Sequence, residues 1–300
     1  MSIRGVFCAS LTPVKDTSEI DTARFIKHAR NLIANGCNGV ALLGTTGEAN
    51  SFSIAERKAI LEAAVAGGIA PSQLLPGTGH CATPDTVELT RHALSLGVNK
   101  VLMLPPFYYK NVSDDGIFSA YARIIDKIAD DRLQVILYHI PQMSAVPISF
   151  ALIERLLAAY PKTVVGIKDS AGDLSNMLAL VKTFPGFAVL AGADPLMKPL
   201  LEAGGHGCIT ATSNLISKQL ATVFAHFADA SMAKAVEAAQ NHIVAMRNIS
   251  NKFVQIPSIK ALLAHRYGDD AWADVRPPLV KLTTAQRAEL VSAMEALSPP

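Results

Sequence analysis

The chain has no long apolar run, no cluster of charge of one sign and no paired cysteines. Its most apolar stretches are short and broken by Gly, Pro or charge. None approaches the roughly 20 apolar residues that cross a bilayer, so no membrane partner is expected. The lysines and arginines are scattered and the formal charge is only +2, so the electrostatic footprint of a nucleic-acid binder is missing. Cys8, Cys37, Cys81 and Cys208 are far apart and form no C-x-x-C. Reduced, buried thiols in a cytoplasmic protein fit this pattern better than disulfides or a zinc site. His80, His139 and His206 are isolated, with no ligand-spaced partner, so no metal and no other cofactor is expected. The N-terminal segment has one early arginine and a short apolar run. A secretory signal needs a longer apolar core, and the run reads as a first strand.

What is present is an alternation. Short, β-branched apolar runs begin at Gly5, Gly39, Gln73, Lys100, Gln134, Val164, Phe187 and His206. Segments of helical period lie between them, near 19–34, 53–66, 84–96, 114–130, 149–159, 174–183 and 195–203. Ser53 and Ser113 are placed as helix N-caps, with Glu56 completing a capping box. Strands that are apolar throughout are buried on both faces, which means a parallel sheet covered by helices. Eight β/α units in succession predict an α/β fold, a (β/α)₈ TIM barrel. An open doubly wound sheet is the alternative, but the G-x-G-x-x-G that it usually carries after its first strand is missing. Residues 217–297 read as helices only. The division expected is a barrel over residues 1–224, carrying the site, and a C-terminal helical extension over 225–300. No flexible linker separates the two.

Reactive groups of such barrels sit at the C-terminal ends of the strands, which turns the strand ends into a list of candidates. Lys168 ends V-V-G-I-K-D, where alternation puts Val164, Gly166 and Lys168 on one face. If that face is the barrel interior, burial disfavours the ammonium and leaves a nucleophilic amine that can condense with a ketone. The plainer alternative is a lysine reaching solvent or paired with Asp169. Tyr138 ends the preceding strand, so its phenol can shuttle protons beside the amine. Alone, it reads as a core aromatic with a satisfied hydroxyl. Gly44-Thr45-Thr46-Gly47-Glu48 is a small-residue loop whose N–H and hydroxyl donors suit a carboxylate. It lacks P-loop spacing, and an ordinary turn capped by Glu48 is the alternative. Tyr108 and Tyr109 follow Pro105-Pro106. One of them is a candidate for a relay with Tyr138 and Thr46, or both pack at a subunit contact.

G-T-T-G-E at 44–48, Y-H-I-P at 138–141, G-I-K-D-S at 166–170 and G-G-H-G-C-I-T at 204–210 together resemble the dihydrodipicolinate synthase/N-acetylneuraminate lyase superfamily. The likeness runs over nearly the whole chain, in order and at the family's spacing. It implies a barrel with a helical extension, assembled as a homotetramer, a dimer of dimers. It implies Lys168 as the Schiff-base lysine and Tyr138 as the catalytic tyrosine, with Thr46 and Tyr108 in the relay. Tyr108 would reach into the neighbouring subunit's site, with Tyr109 the alternative because of an extra residue near Asn111. Gly44, Thr45 and Thr46 would hold the pyruvate carboxylate, and Gly192 and the Ile209 carbonyl would line the pocket. Where authentic synthases carry an arginine, five residues after the tyrosine, this chain has Met143. A methionine cannot clamp a second carboxylate. The residues matching the sialic-acid determinants are Asp194-Pro195 and Ala211. The expectation is a lyase acting on pyruvate and an aldehyde or sugar-acid partner, with 2-oxo-3-deoxy sugar acids or 4-hydroxy-2-oxo acids favoured. With Met143 and Ala211 lining it, the outer pocket is expected to be less polar than in a dihydrodipicolinate synthase or an N-acetylneuraminate lyase. A true 4-hydroxy-tetrahydrodipicolinate synthase, a sugar-acid dehydratase, a metal-dependent barrel aldolase and a non-catalytic 2-oxo-acid sensor are the alternatives. A sensor would have no need of both Lys168 and Tyr138.

Overall fold

In the computed structural model, which describes residues 3–16 and 18–297, the apolar runs become seven parallel strands. They are β1 Gly5–Ala9, β2 Gly39–Ala41, β3 Lys100–Met103, β4 Gln134–His139, β5 Val164–Asp169, β6 Ala188–Ala191 and β7 Gly207–Thr210. Their order is β2-β1-β7-β6-β5-β4-β3. The run beginning at Gln73 was expected as a full strand, and here the structure differs. It makes only isolated bridges, Val40 to Leu74 and Gly77 to Leu102. Pro76 has no N–H to contribute to a ladder. The segment still joins β2 to β3. The Leu75 N–H donates to the Val40 carbonyl at 3.0 Å, and that of Thr78 to Leu102 at 3.0 Å. Gly77 permits the close approach, since a Cβ there would lie 2.3 Å from the Leu43 oxygen. Buried Arg57 donates to the Gly77 carbonyl at 2.8 Å. The ring therefore closes through eight positions, and the fold is a (β/α)₈ barrel.

The helices α1 Thr22–Ala34, α2 Ile54–Ala66, α3 Thr83–Ser95, α4 Asp114–Ile128, α5 Pro141–Ser144, α6 Phe150–Ala159, α7 Leu174–Thr183, α8 Met197–Glu202 and α9 Ser213–His226 surround the barrel. The hydroxyls of Ser53 and Ser113 cap α2 and α4, the former in a full capping box with Glu56. The one-turn α5 was not anticipated, and it carries Met143. Three further helices follow: α10 Ala233–Ser250, α11 Gln255–Tyr267 and α12 Thr284–Glu295. The expectation of helices alone in this part fails at 274–283, which is non-helical and turns at 277–278. Pro277 and Pro278 cannot supply helical N–H donors.

Period-two alternation sorts the strand residues into two cores. Val135, Leu137, Val189 and Cys208 face outward and pack under the helices. Phe7, Leu102, Ile136, Tyr138, Leu190 and Ile209 fill the barrel. No helix among the described residues is long and apolar enough to cross a membrane.

Candidate active site

Strand register brings the first two candidates together. Tyr138 on β4 is the partner of Lys168 on β5, and Lys168 is the partner of Leu190 on β6. Both neighbours belong to the interior core, so the Lys168 side chain points into the barrel. It is only 4% exposed. Its Nζ lies 4.2 Å from the centre of the Tyr138 ring.

The alternative pairing with Asp169 does not occur. Asp169 is the next residue along the strand, so it faces the other way. Its oxygens accept from the Ala171 N–H at 2.9 Å and from Asn176 Nδ2 at 2.7 Å. Lys168 forms no ion pair among the described residues. His139 lies beside Asp169 in register, and burial lowers its pKa against the pull of the Asp169 charge. Its Nδ1 accepts from the Ile148 N–H at 3.1 Å. The ring is a structural clasp.

The Gly44–Glu48 loop supplies the third element. The Thr45 and Tyr138 hydroxyls are 3.2 Å apart, within hydrogen-bond reach. The N–H groups of Thr45 and Thr46 donate to no acceptor among the described residues, so they remain available to an anion. Glu48 does not cap the helix that follows it. It sits at φ 57°, in the left-handed region, and turns its carboxylate into the protein. There it pairs with Lys260 of α11 and accepts from the Arg276 N–H at 3.1 Å. Lys260 is completely buried. Its Nζ also donates to the Asp274 carbonyl at 2.7 Å. Burial pushes the Lys260 pKa down and Glu48 pulls it back up. The loop is thus riveted to the C-terminal segment. Sequence reasoning missed Lys260 and Arg276, because nothing local marks a partner more than 200 residues away.

These residues line a cavity of about 460 Å³ at the C-terminal ends of the strands. Lys168, Tyr138, Thr45, Thr46, Gly192 and Met143 all contribute to it. Gly192 has no room for a side chain, since a Cβ would lie 1.9 Å from the Ser170 hydroxyl. Gly44 lines an adjoining cleft with Thr45 and Tyr138. Ile209 is fully buried in the barrel core and is absent from the cavity wall, although Ala211 is part of it. Tyr108 does not reach this chain's own cavity. It is 73% exposed and stacks edge-on against Tyr109 with ring centres 5.4 Å apart.

The outer wall mixes apolar and polar groups. Met143 and Ala211 line the cavity, but so do Gln142, Gln255 and Arg247. Arg247 comes from α10, and its Nη1 donates to the buried Asp194 carboxylate at 3.2 Å. Its only hint in the sequence was Asp194, a strand-end carboxylate in need of a partner. A buried amine, a phenol over it and an anion-ready loop can together condense a 2-oxo acid with the amine and move protons around the adduct.

Comparison with known proteins finds relatives over the whole length of the fold. The model of the dihydrodipicolinate synthetase family matches residues 2–297. A DapA-like lyase of Chloroflexus aurantiacus is 36% identical over 98% of this chain and 97% of its own length. The 4-hydroxy-tetrahydrodipicolinate synthase of Listeria welshimeri is 31% identical over 99% of this chain and 100% of its own. The crystal structure of dihydrodipicolinate synthase from Agrobacterium tumefaciens superposes with a TM-score of 0.90 at 34% identity, covering 98% of this chain and 99% of that one.

Proposed function

The chain belongs to the dihydrodipicolinate synthetase family and is a lyase of that family, and from this premise we propose that it makes or cleaves a carbon–carbon bond through an imine between Lys168 and pyruvate. The observation that carries the proposal is the buried Lys168 amine 4.2 Å from the Tyr138 ring. The amine adds to C2 of the 2-oxo acid, and loss of water gives the protonated imine. This imine withdraws electrons from C3, so C3 loses a proton and becomes a nucleophilic enamine carbon. Addition of that carbon to an aldehyde forms the new bond, and the aldehyde oxygen takes up a proton to become a hydroxyl. Water then hydrolyses the imine and frees Lys168. Cleavage runs the same steps backward. Tyr138, with the Thr45 hydroxyl within reach, carries the protons. The Thr45 and Thr46 donors hold the pyruvate carboxylate, with Gly44 and Gly192 leaving room for it. Met143 in place of the synthase arginine favours 4-hydroxy-2-oxo acids or 2-oxo-3-deoxy sugar acids over aspartate semialdehyde.

On the same reading, residues 1–224 form the catalytic barrel and 225–300 an extension that completes its outer wall. The exposed Tyr108–Tyr109 pair is assigned to a contact between copies in a homotetramer, where Tyr108 would complete the neighbour's relay. The test is release of pyruvate from a panel of 4-hydroxy-2-oxo acids and 2-oxo-3-deoxy sugar acids. Turnover should be destroyed by borohydride when pyruvate is present and spared by a chelator. Loss of turnover on chelation without borohydride sensitivity would assign the protein to a metal-dependent mechanism, and a strong preference for aspartate semialdehyde would make it a lysine-pathway synthase.

A further inference from the structure

The cavity that holds Lys168 extends outward to a wall made by the C-terminal segment, with Val254, Ile256 and Leu279 as apolar faces and Gln255 and Arg247 as polar ones. We propose that Arg247 is the specificity-determining residue for the second substrate, and that it recognises a carboxylate distal to the reacting aldehyde. The inference rests on the Schiff-base reading above and names the class of molecule that would meet the enamine.

Among the described residues, the two cations lining the cavity are Lys168 and Arg247, and no aspartate or glutamate lines it. The lysine amine is consumed by the imine, which leaves Arg247 for any second anionic group. Met143, at the position where synthases hold their second carboxylate, is 64% exposed and offers no N–H donor. Arg247 occupies the same cavity from a different element, α10. Its guanidinium is already positioned. Asp194, fully buried at the end of β6, accepts from Nη1 at 3.2 Å. Among the described residues this is the guanidinium's single hydrogen bond, so the Nε and Nη2 donors stay unengaged. That edge is a planar fork matching the two oxygens of a carboxylate, a geometry a lysine would not reproduce. Gln255 lines the same cavity, its Nε2 donating to Asn251 Oδ1 at 2.6 Å. The product of condensation would therefore be a 4-hydroxy-2-oxo dicarboxylate. It forms when the enamine carbon bonds to the aldehyde carbon, the aldehyde oxygen is protonated, and water releases the imine.

The test compares kcat/KM for condensation of pyruvate with succinic semialdehyde, pentanal and glyceraldehyde, in the wild-type chain and in Arg247→Met and Arg247→Lys. Wild type should prefer succinic semialdehyde over both neutral aldehydes. Arg247→Met should reduce that preference at least tenfold through KM, with Arg247→Lys in between. Because Arg247→Met strands the buried Asp194, Arg247→Met/Asp194→Asn serves if the single variant does not fold. Borohydride trapping of pyruvate is measured in parallel on every variant. Retained trapping with an unchanged preference in the Arg247 variants, or a wild-type preference for pentanal or glyceraldehyde, overturns the role of Arg247 while leaving the Schiff base standing. Failure of trapping in wild type removes the underlying reading instead.

Discussion

The inner and outer halves of the cavity are built in different ways. The inner half comes from adjacent strands, where Tyr138 and Lys168 are register partners and every neighbour is set by the closed ladder. The outer half comes from the C-terminal helices folded back over the barrel, with Arg247, Gln255 and Leu279 contributed by three separate stretches. Joining the halves is one buried ion pair, Glu48 with Lys260. The difference teaches a division of labour. Strand ends hold the groups whose spacing chemistry demands, and the wall that the C-terminal segment lays over them supplies side chains from outside the strand ladder.

That contrast can be broken most severely at its inner end. Lys168→Ala should lower turnover on the order of 10⁴-fold or more, because it removes the covalent step. Circular dichroism and thermal melting should show the fold intact, since the amine contributes little core volume. Tyr138→Phe should slow turnover by roughly 10²–10⁴-fold, the usual worth of a positioned proton carrier. The pyruvate adduct should still form, only more slowly. Unimpaired turnover in this variant would remove Tyr138 from the relay.

The joint between the halves comes next. Lys260→Met leaves Glu48 buried without its cation, and breaking such a pair costs about 3–5 kcal/mol. A large drop in melting temperature is expected, with a raised KM for pyruvate as the Gly44–Glu48 loop loosens. An unchanged melting curve would show that the two halves are not riveted there.

The inner half was largely legible from residue order, and the outer half was not. Period-two alternation put Lys168 and Gly166 on one face, and strand succession put Tyr138 beside them. Both are local rules. Ser53 and Ser113 announced their helices by the same kind of short-range chemistry. The strand expected from Gln73 was overread because its apolar residues masked the effect of Pro76 on the ladder. Glu48 entered only as the cap of an alternative plain turn, yet it serves Lys260 and Arg276, which are remote in sequence and near only after the chain has folded back. Arg247 escaped for the same reason. A helical position announces which face it is on, but not which cavity that face will meet.

The smallest expected effect is one of pH. The Arg276 guanidinium bonds the Glu56 carboxylate and lowers its pKa to about 2, with the Ser53 bonds adding to this. A carboxylate depressed in the folded state contributes stability above its unfolded pKa and loses it as pH falls toward the folded value. The contribution should fade between about pH 4.5 and 2. It should be modest, because the side chain is 35% exposed and screened by solvent. Glu56→Gln should lower stability modestly across the neutral region and flatten the acid limb in that window, so that the two stability–pH curves converge near pH 2. An unaltered acid limb would show that Arg276 binds the region through the Ser18 and Ser51 carbonyls alone.

The most direct measurement is peptide mapping after borohydride reduction in the presence of pyruvate. The stable adduct should fall on the peptide containing Lys168, and on no other lysine. An unmodified Lys168, or an adduct elsewhere in the chain, would contradict the assignment of this amine as the group that forms the imine.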